Sequence, residues 1–144
     1  MLKLKDAYHD CKKELRGASL KVTPARLSVL QVLENADIPL DVKAIAEYLR
    51  NKNIKVDKVT IFRIINSFTR NGLVRQLWLN EDKSRYELVP KKDHHHFICQ
   101  ECGVIKEISD CGVDFMQEKI QQKKGLFIKS HMLEFFGTCQ DCQK

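Results

Sequence analysis

"DKVTIFRIINSFTRNG", residues 57–72, is the stretch that decides the fold of the first half of the chain. Asp57 is a natural N-cap, because its carboxylate can accept the amide hydrogens that a first helical turn leaves without partners. Ile61, Ile65 and Phe68 recur at spacings of four and three, which puts them on one helical face. Gly72 can adopt the left-handed conformation that ends a helix. The opposite face carries Thr60, Arg63, Ser67 and Arg70 at the same kind of spacing. A polar face is ordinarily just the solvated side of a surface helix. These side chains can also donate to phosphates and base edges.

The flanking segments decide between those readings. Upstream, "KVTPARLSVLQVLENA" (21–36) has Thr23 as cap, Pro24 at the first helical position and Leu27, Leu30 and Leu33 as its stripe. "PLDVKAIAEYLRNKN" (39–53) has Asp41 as cap and Val42, Ile45 and Leu49 as its stripe. Downstream, "LVRQLWL" (73–79), "NEDKS" (80–84) and "RYELV" (85–89) read as strand, turn and strand. Two short helices, a polar-faced helix and a basic hairpin are the order of a winged helix-turn-helix, whose polar-faced helix enters the major groove.

Charge is divided in the same way. Residues 1–89 hold 17 Lys and Arg against 11 Asp and Glu, so they carry the whole net charge of +6. Residues 90–144 hold 8 of each and are neutral. A basic half suits a polyanion. Five of the six cysteines and four of the five histidines lie in the other half, which suits a metal. With 43% apolar residues among 144, a packed core is feasible. No apolar run approaches the ~18 residues that a membrane helix needs, and the charged N-terminus lacks a signal segment. The sequence therefore predicts a soluble, cytoplasmic protein that does not engage a membrane.

The second half is organised by "DHHHFICQEC", Asp93–Cys102. Cys99 and Cys102 form one C-x2-C pair, and Cys139 and Cys142 form another after 36 intervening residues. Each pair can grip a tetrahedral ion from a tight turn, which Gly103 helps to close, and four thiolates are a usual structural zinc site. A redox pair is the alternative, but that motif belongs at a strand–helix junction, and here the flanking "HFIC" and "GVIKEIS" are both strand-like. Disulfides are disfavoured without an export signal. Cys11 and Cys111 stay unassigned, and their default reading is a buried or inert thiol. Between the pairs, "GVDFMQEKIQQKKG" (112–125) predicts a helix with Val113, Met116 and Ile120 on one face, Asp110 as cap and Gly125 as terminator. "LFIKSHMLEFFG" (126–137) predicts a strand covered on both faces. A unit this small buries little by itself, so dimerisation is expected.

With these residues in place, the chain resembles the ferric uptake regulator (Fur) family of metal-dependent repressors. The resemblance spans residues 18–142 and rests on "LKVTPARLSVLQVL", "KVTIFRIINSFTRNGLV", "RYEL" followed by "DHHHFICQECG", and "SHMLEFFGTCQDC". It implies a homodimer on double-stranded operator DNA, with structural Zn2+ on Cys99, Cys102, Cys139 and Cys142. The implied fold is α+β: a winged-helix domain (1–88), a hinge (89–93) and a small α/β dimerisation and metal-binding domain (94–144). The regulatory metal set implied is Glu87, His94, His96 and Glu107. The further histidine that the family places on the loop before the second core helix is replaced here, with Pro39 near that position. A second metal set implied is Asp93, His95, Asp114 and His131. Alternation along a strand can feed both sets, with His94 and His96 on one face and Asp93 and His95 on the other. Among DNA contacts, Lys21, Thr23, Arg26 and Arg63 match family positions, Phe62 replaces a tyrosine, and Thr60, Ser67 and Arg70 complete the polar face.

Nitrogen and oxygen ligands suit Fe2+, Zn2+ or Mn2+. Fe2+ is favoured, because the family's zinc sensors often recruit a cysteine that Val89–Pro90 does not offer. Zinc or peroxide sensing are the alternatives within the family. Outside it stand a zinc-ribbon interaction module and a zinc enzyme. No H-E-x-x-H and no H-x-E followed by P-C-x-x-C occurs, and four cysteines leave no open metal position. The reading is therefore of a non-enzyme without a small-molecule substrate.

Overall fold

The computed structural model describes residues 10–79, 82–89, 94–109 and 111–144. They fall into two compact units, the first ending at residue 91 and the second beginning at 92. No helix among the described residues is long and apolar enough to cross a membrane.

The first unit contains α1 (Cys11–Gly17), α2 (Pro24–Asn35), α3 (Val42–Asn51), α4 (Lys58–Arg70), β1 (Val74–Leu77) and β2 (Arg85–Leu88). The three expected caps hold. Thr23 accepts from the Arg26 amide, Asp41 from that of Ala44 and Asp57 from that of Thr60. Gly72, at φ +75°, turns the chain out of α4. Leu30, Leu33, Ile45, Leu49, Ile61, Ile65 and Phe68 are fully buried together, each contributing roughly 1.5–3 kcal/mol of transfer free energy.

Helix α1 was not expected from the sequence. Only Cys11 and Leu15 are buried in it, too few to make a stripe, and Asp10 caps it by accepting from the Lys12 and Lys13 amides. The strands β1 and β2 pair antiparallel, with Val74 opposite Leu88 and Arg75 opposite Glu87. Asn80 and Glu81 of the expected turn lie outside the described residues. The loop before α3 is stitched to this wing. Leu40 and Tyr86 exchange backbone hydrogen bonds at 3.0 and 2.8 Å, Arg85 donates to the Pro39 carbonyl at 3.1 Å, and Lys83 pairs with Asp41 at 2.8 Å.

The second unit contains β3 (His95–Cys99), β4 (Ile105–Ile108), α5 (Val113–Lys124), β5 (Glu134–Gly137) and a 3₁₀ turn at Gln140–Gln143. Its sheet has the order β4-β3-β5, with β4 antiparallel and β5 parallel to β3. Two expectations are corrected here. The strand expected over 126–137 is confined to Glu134–Gly137, because its partner β3 begins at His95 and the register sets His96 against Glu134. Among the described residues no strand pairs with the segment before Glu134, the Ile128 amide donates to the Gln121 side chain instead, and Phe127 and Met132 are 82% and 91% exposed. The N-cap position of α5 is Gly112, at φ +74°, in place of Asp110, which lies outside the described residues. Helix α5 has the expected span and ends on left-handed Gly125, yet none of its residues is buried in the chain alone.

Candidate metal centres and candidate DNA-binding helix

The four cysteines converge. The sulfurs of Cys99, Cys102, Cys139 and Cys142 all lie within 4.8 Å of one another. Cys102 and Cys139 are 3.7 Å apart at sulfur, far beyond a disulfide bond. A tetrahedron of sulfurs about 2.3 Å from zinc has edges of about 3.8 Å, so the donor set fits that ion. Local structure builds the cluster. The Gly103 amide donates to the Cys99 carbonyl at 3.0 Å, and Gly103 takes φ +76° to close the first turn. The second pair sits where β5 runs into the 3₁₀ turn, and the Cys139 amide donates to Cys99 Sγ at 3.3 Å.

The thiols are unequal. Backbone amides, that of Cys102 first and that of Cys139 next, push Cys99 down to about 6. Hydrogen bonds with the Cys139 and Cys102 thiols push Cys142 up to about 12. At Cys102 the Val104 amide pulls downward, but the Cys99 thiol and burial outweigh it and the thiol is raised. Cys99 is thus the most readily ionised of these, while Cys102 and Cys142 hold their protons more firmly. A divalent cation lets all four ionise together.

The histidines alternate as expected. On one side of β3, the rings of His94 and His96 meet edge to face, centroids 4.9 Å apart. Glu107 is set opposite His96 by the β3–β4 register, and residues so paired share a face. Across β3, on β5, is a carboxylate that sequence reasoning missed. Glu134 accepts from the His96 amide at 3.1 Å, and the same oxygen lies 3.4 Å from His96 Nδ1. Glu87 is buried on β2 and bound by Arg75 of β1, whose Nε donates to it at 2.6 Å. Pro39, near the position where the resemblance leads one to expect a further histidine, is fully buried, and its carbonyl accepts from Arg85.

On the other side, His95 Nε2 lies 2.8 Å from His131 Nε2. His95 Nδ1 faces Cys111 Sγ at 3.5 Å, and His131 Nδ1 faces Gln117 Oε1 at 2.9 Å. Asp114 is exposed in the first turn of α5, and the α5 side chain on His131 is Gln117, one turn later. Asp93 lies outside the described residues. Neither Cys111 nor Gln117 carries a spacing signal that would have marked it.

Helix α4 buries Ile61, Ile64, Ile65 and Phe68. Arg63 and Arg70 are exposed, Phe62 is 49% exposed, and Thr60 and Ser67 are half-buried at the margin of that face. Lys21 is exposed, and its carbonyl accepts from Arg26 at 2.8 Å, tying the approach to α2.

Residues 17–136 match the model of the ferric uptake regulator family. The chain belongs to the ferric uptake regulator family. The ferric uptake regulation protein of Neisseria meningitidis is 32% identical over 132 residues, covering 90% of this Fur-family chain and 91% of that protein. The crystal structure of the Vibrio cholerae ferric uptake regulator matches with a TM-score of 0.80 at 29% identity, over 90% of this chain and all of that one. The Helicobacter pylori ferric uptake regulator, whose structure is described as revealing three functional metal binding sites, matches with a TM-score of 0.79 at 26% identity, over 92% and 89%. This Fur-family chain is thus a metal-dependent transcription regulator with a four-cysteine cluster suited to zinc.

Proposed function

We propose that the protein is a cytoplasmic, homodimeric repressor that binds double-stranded operator DNA through α4 when it holds Fe2+. The observation that carries the DNA reading is the division of α4. One face is locked in the core, and Arg63 and Arg70 stand on the other, in a half that carries the entire net positive charge. An exposed helix with this chemistry on a winged-helix scaffold is suited to a major groove. The dimer reading is supported by α5, where Met116 and Ile120 stay 52% and 40% exposed. An apolar face of this kind is stabilised when a second copy covers it.

The regulatory ion would be held by Glu87, His94, His96 and Glu107, a set without thiolate that suits Fe2+, Mn2+ or Zn2+, and Fe2+ is preferred because Val89–Pro90 brings no cysteine to it. Asp93, His95, Asp114 and His131 provide a second set. Regulation requires only that the ion bind the DNA-competent arrangement better than the others. The test is fluorescence anisotropy with promoter DNA at fixed salt, with and without chelation of the labile metal. Affinity should rise with Fe2+, and His96→Ala should abolish that rise while keeping the zinc and the dimer. Equal affinity with and without metal overturns the reading.

A further inference from the structure

We propose that Gln117 is a positioning residue that fixes His131 in the tautomer presenting Nε2 toward His95, so that the two imidazoles chelate a borderline divalent cation. The inference rests on the reading of His95 and His131 as metal ligands. Two lone pairs facing each other at 2.8 Å repel, so a proton or a cation must lie between these nitrogens. The outer nitrogens decide what the inner ones carry. Gln117 Oε1, 2.9 Å from His131 Nδ1, can only accept. His131 therefore bears its proton on Nδ1 and directs a lone pair from Nε2 toward His95. Imidazole ligands of metals characteristically donate their other N–H in this way, which fixes the ring and raises its basicity.

The supporting elements are local. His95 is buried on β3, and its own Nδ1 lies against Cys111. His131 lies in the segment that leads into β5, without a ladder of its own to hold it. Its ring orientation accordingly depends on side-chain partners, and Gln117 reaches it from α5. A neighbouring α5 residue, Gln121, anchors the same segment through the Ile128 amide at 2.8 Å. Helix α5 thus works as a rail that sets where the second histidine points.

The test uses the full chain with its cysteine-bound zinc, in a His96→Ala background so that the other proposed site does not contribute. Co2+ is titrated against a chelating dye. Loss of a second-shell partner should weaken binding by about 10–100-fold, so Gln117→Leu should lose that much. Gln117→Glu, which can only accept, should restore the affinity. In a metal-free sample, long-range proton–nitrogen NMR should find His131 in the Nδ1–H form, and Gln117→Leu should shift it toward Nε2–H. Unchanged affinity in Gln117→Leu while His131→Ala loses the ion overturns the positioning role and leaves the site standing. Failure of Gln117→Glu to rescue, or an Nε2–H tautomer in the unsubstituted protein, also overturns it. Wild-type binding in both His95→Ala and His131→Ala overturns the site reading itself.

Discussion

Replacing Cys139 by serine should unfold the second unit and leave the first folded. The exchange is nearly isosteric, so packing changes little and the metal accounts for the effect. Among the described residues, the buried apolar side chains of the second unit are Ile98, Cys99, Ile105 and Cys139, two of them in the cysteine cluster. Burial of Ile98 and Ile105 contributes roughly 3–6 kcal/mol together, and α5 buries nothing in the chain alone. A structural zinc supplies about 10–16 kcal/mol of apparent free energy in small zinc-dependent peptides, which exceeds the apolar contribution. The first unit has a contiguous core from Leu15 to Leu88 that needs no ion. Hydrogen exchange read by mass spectrometry should therefore show loss of protection over 95–137 in Cys139→Ser, with 24–70 still protected, and zinc falling by one per chain. Strong chelation of the unsubstituted protein should give the same map. Retained protection in β3, β4 and β5 after the zinc is gone would refute the reasoning.

Arg63→Ala should weaken specific DNA binding by about 1–3 kcal/mol, whereas Lys21→Ala should weaken all sequences alike and reduce the salt slope by about one; anisotropy across a salt series separates the two. Asp41→Ala should cost about 1 kcal/mol of stability through loss of the α3 cap. Burial opposes ionisation of Asp41, but Lys83 and the Ala44 amide outweigh it and hold the carboxyl below its usual range. Its contribution is therefore present at neutral pH and lost on acidification through that lowered range, so denaturant midpoints of the two proteins should converge in acid. Burial first, then the hydrogen bond to Glu34, pushes the Cys11 thiol up to about 12. The folded state thus favours the neutral thiol below that pH. Cys11 should resist iodoacetamide at pH 8.5 until denaturant is added, as peptide mass mapping will report.

What the sequence determined by itself is what depends on short separations. The stripe Ile61, Ile65 and Phe68 and the caps Thr23, Asp41 and Asp57 act within one or two turns, so periodicity and residue type suffice to place α2, α3 and α4. Each C-x2-C pair likewise declares itself as a chelating turn, and the alternation of His94, His95 and His96 already splits them between two faces of a strand. Helix α1 escaped because two buried residues make no period. Tertiary structure alone decided the contacts that cross long stretches of chain. Glu134 meets His96 through a parallel register between residues 38 apart, and a parallel pairing has no hairpin to announce it. Gln117 faces His131 because α5 runs beside the segment leading into β5, not because of any spacing in the sequence. The strand expected from Leu126 begins only at Glu134 for the same reason: a ladder is as long as the partner it pairs with, and that partner is 38 residues away.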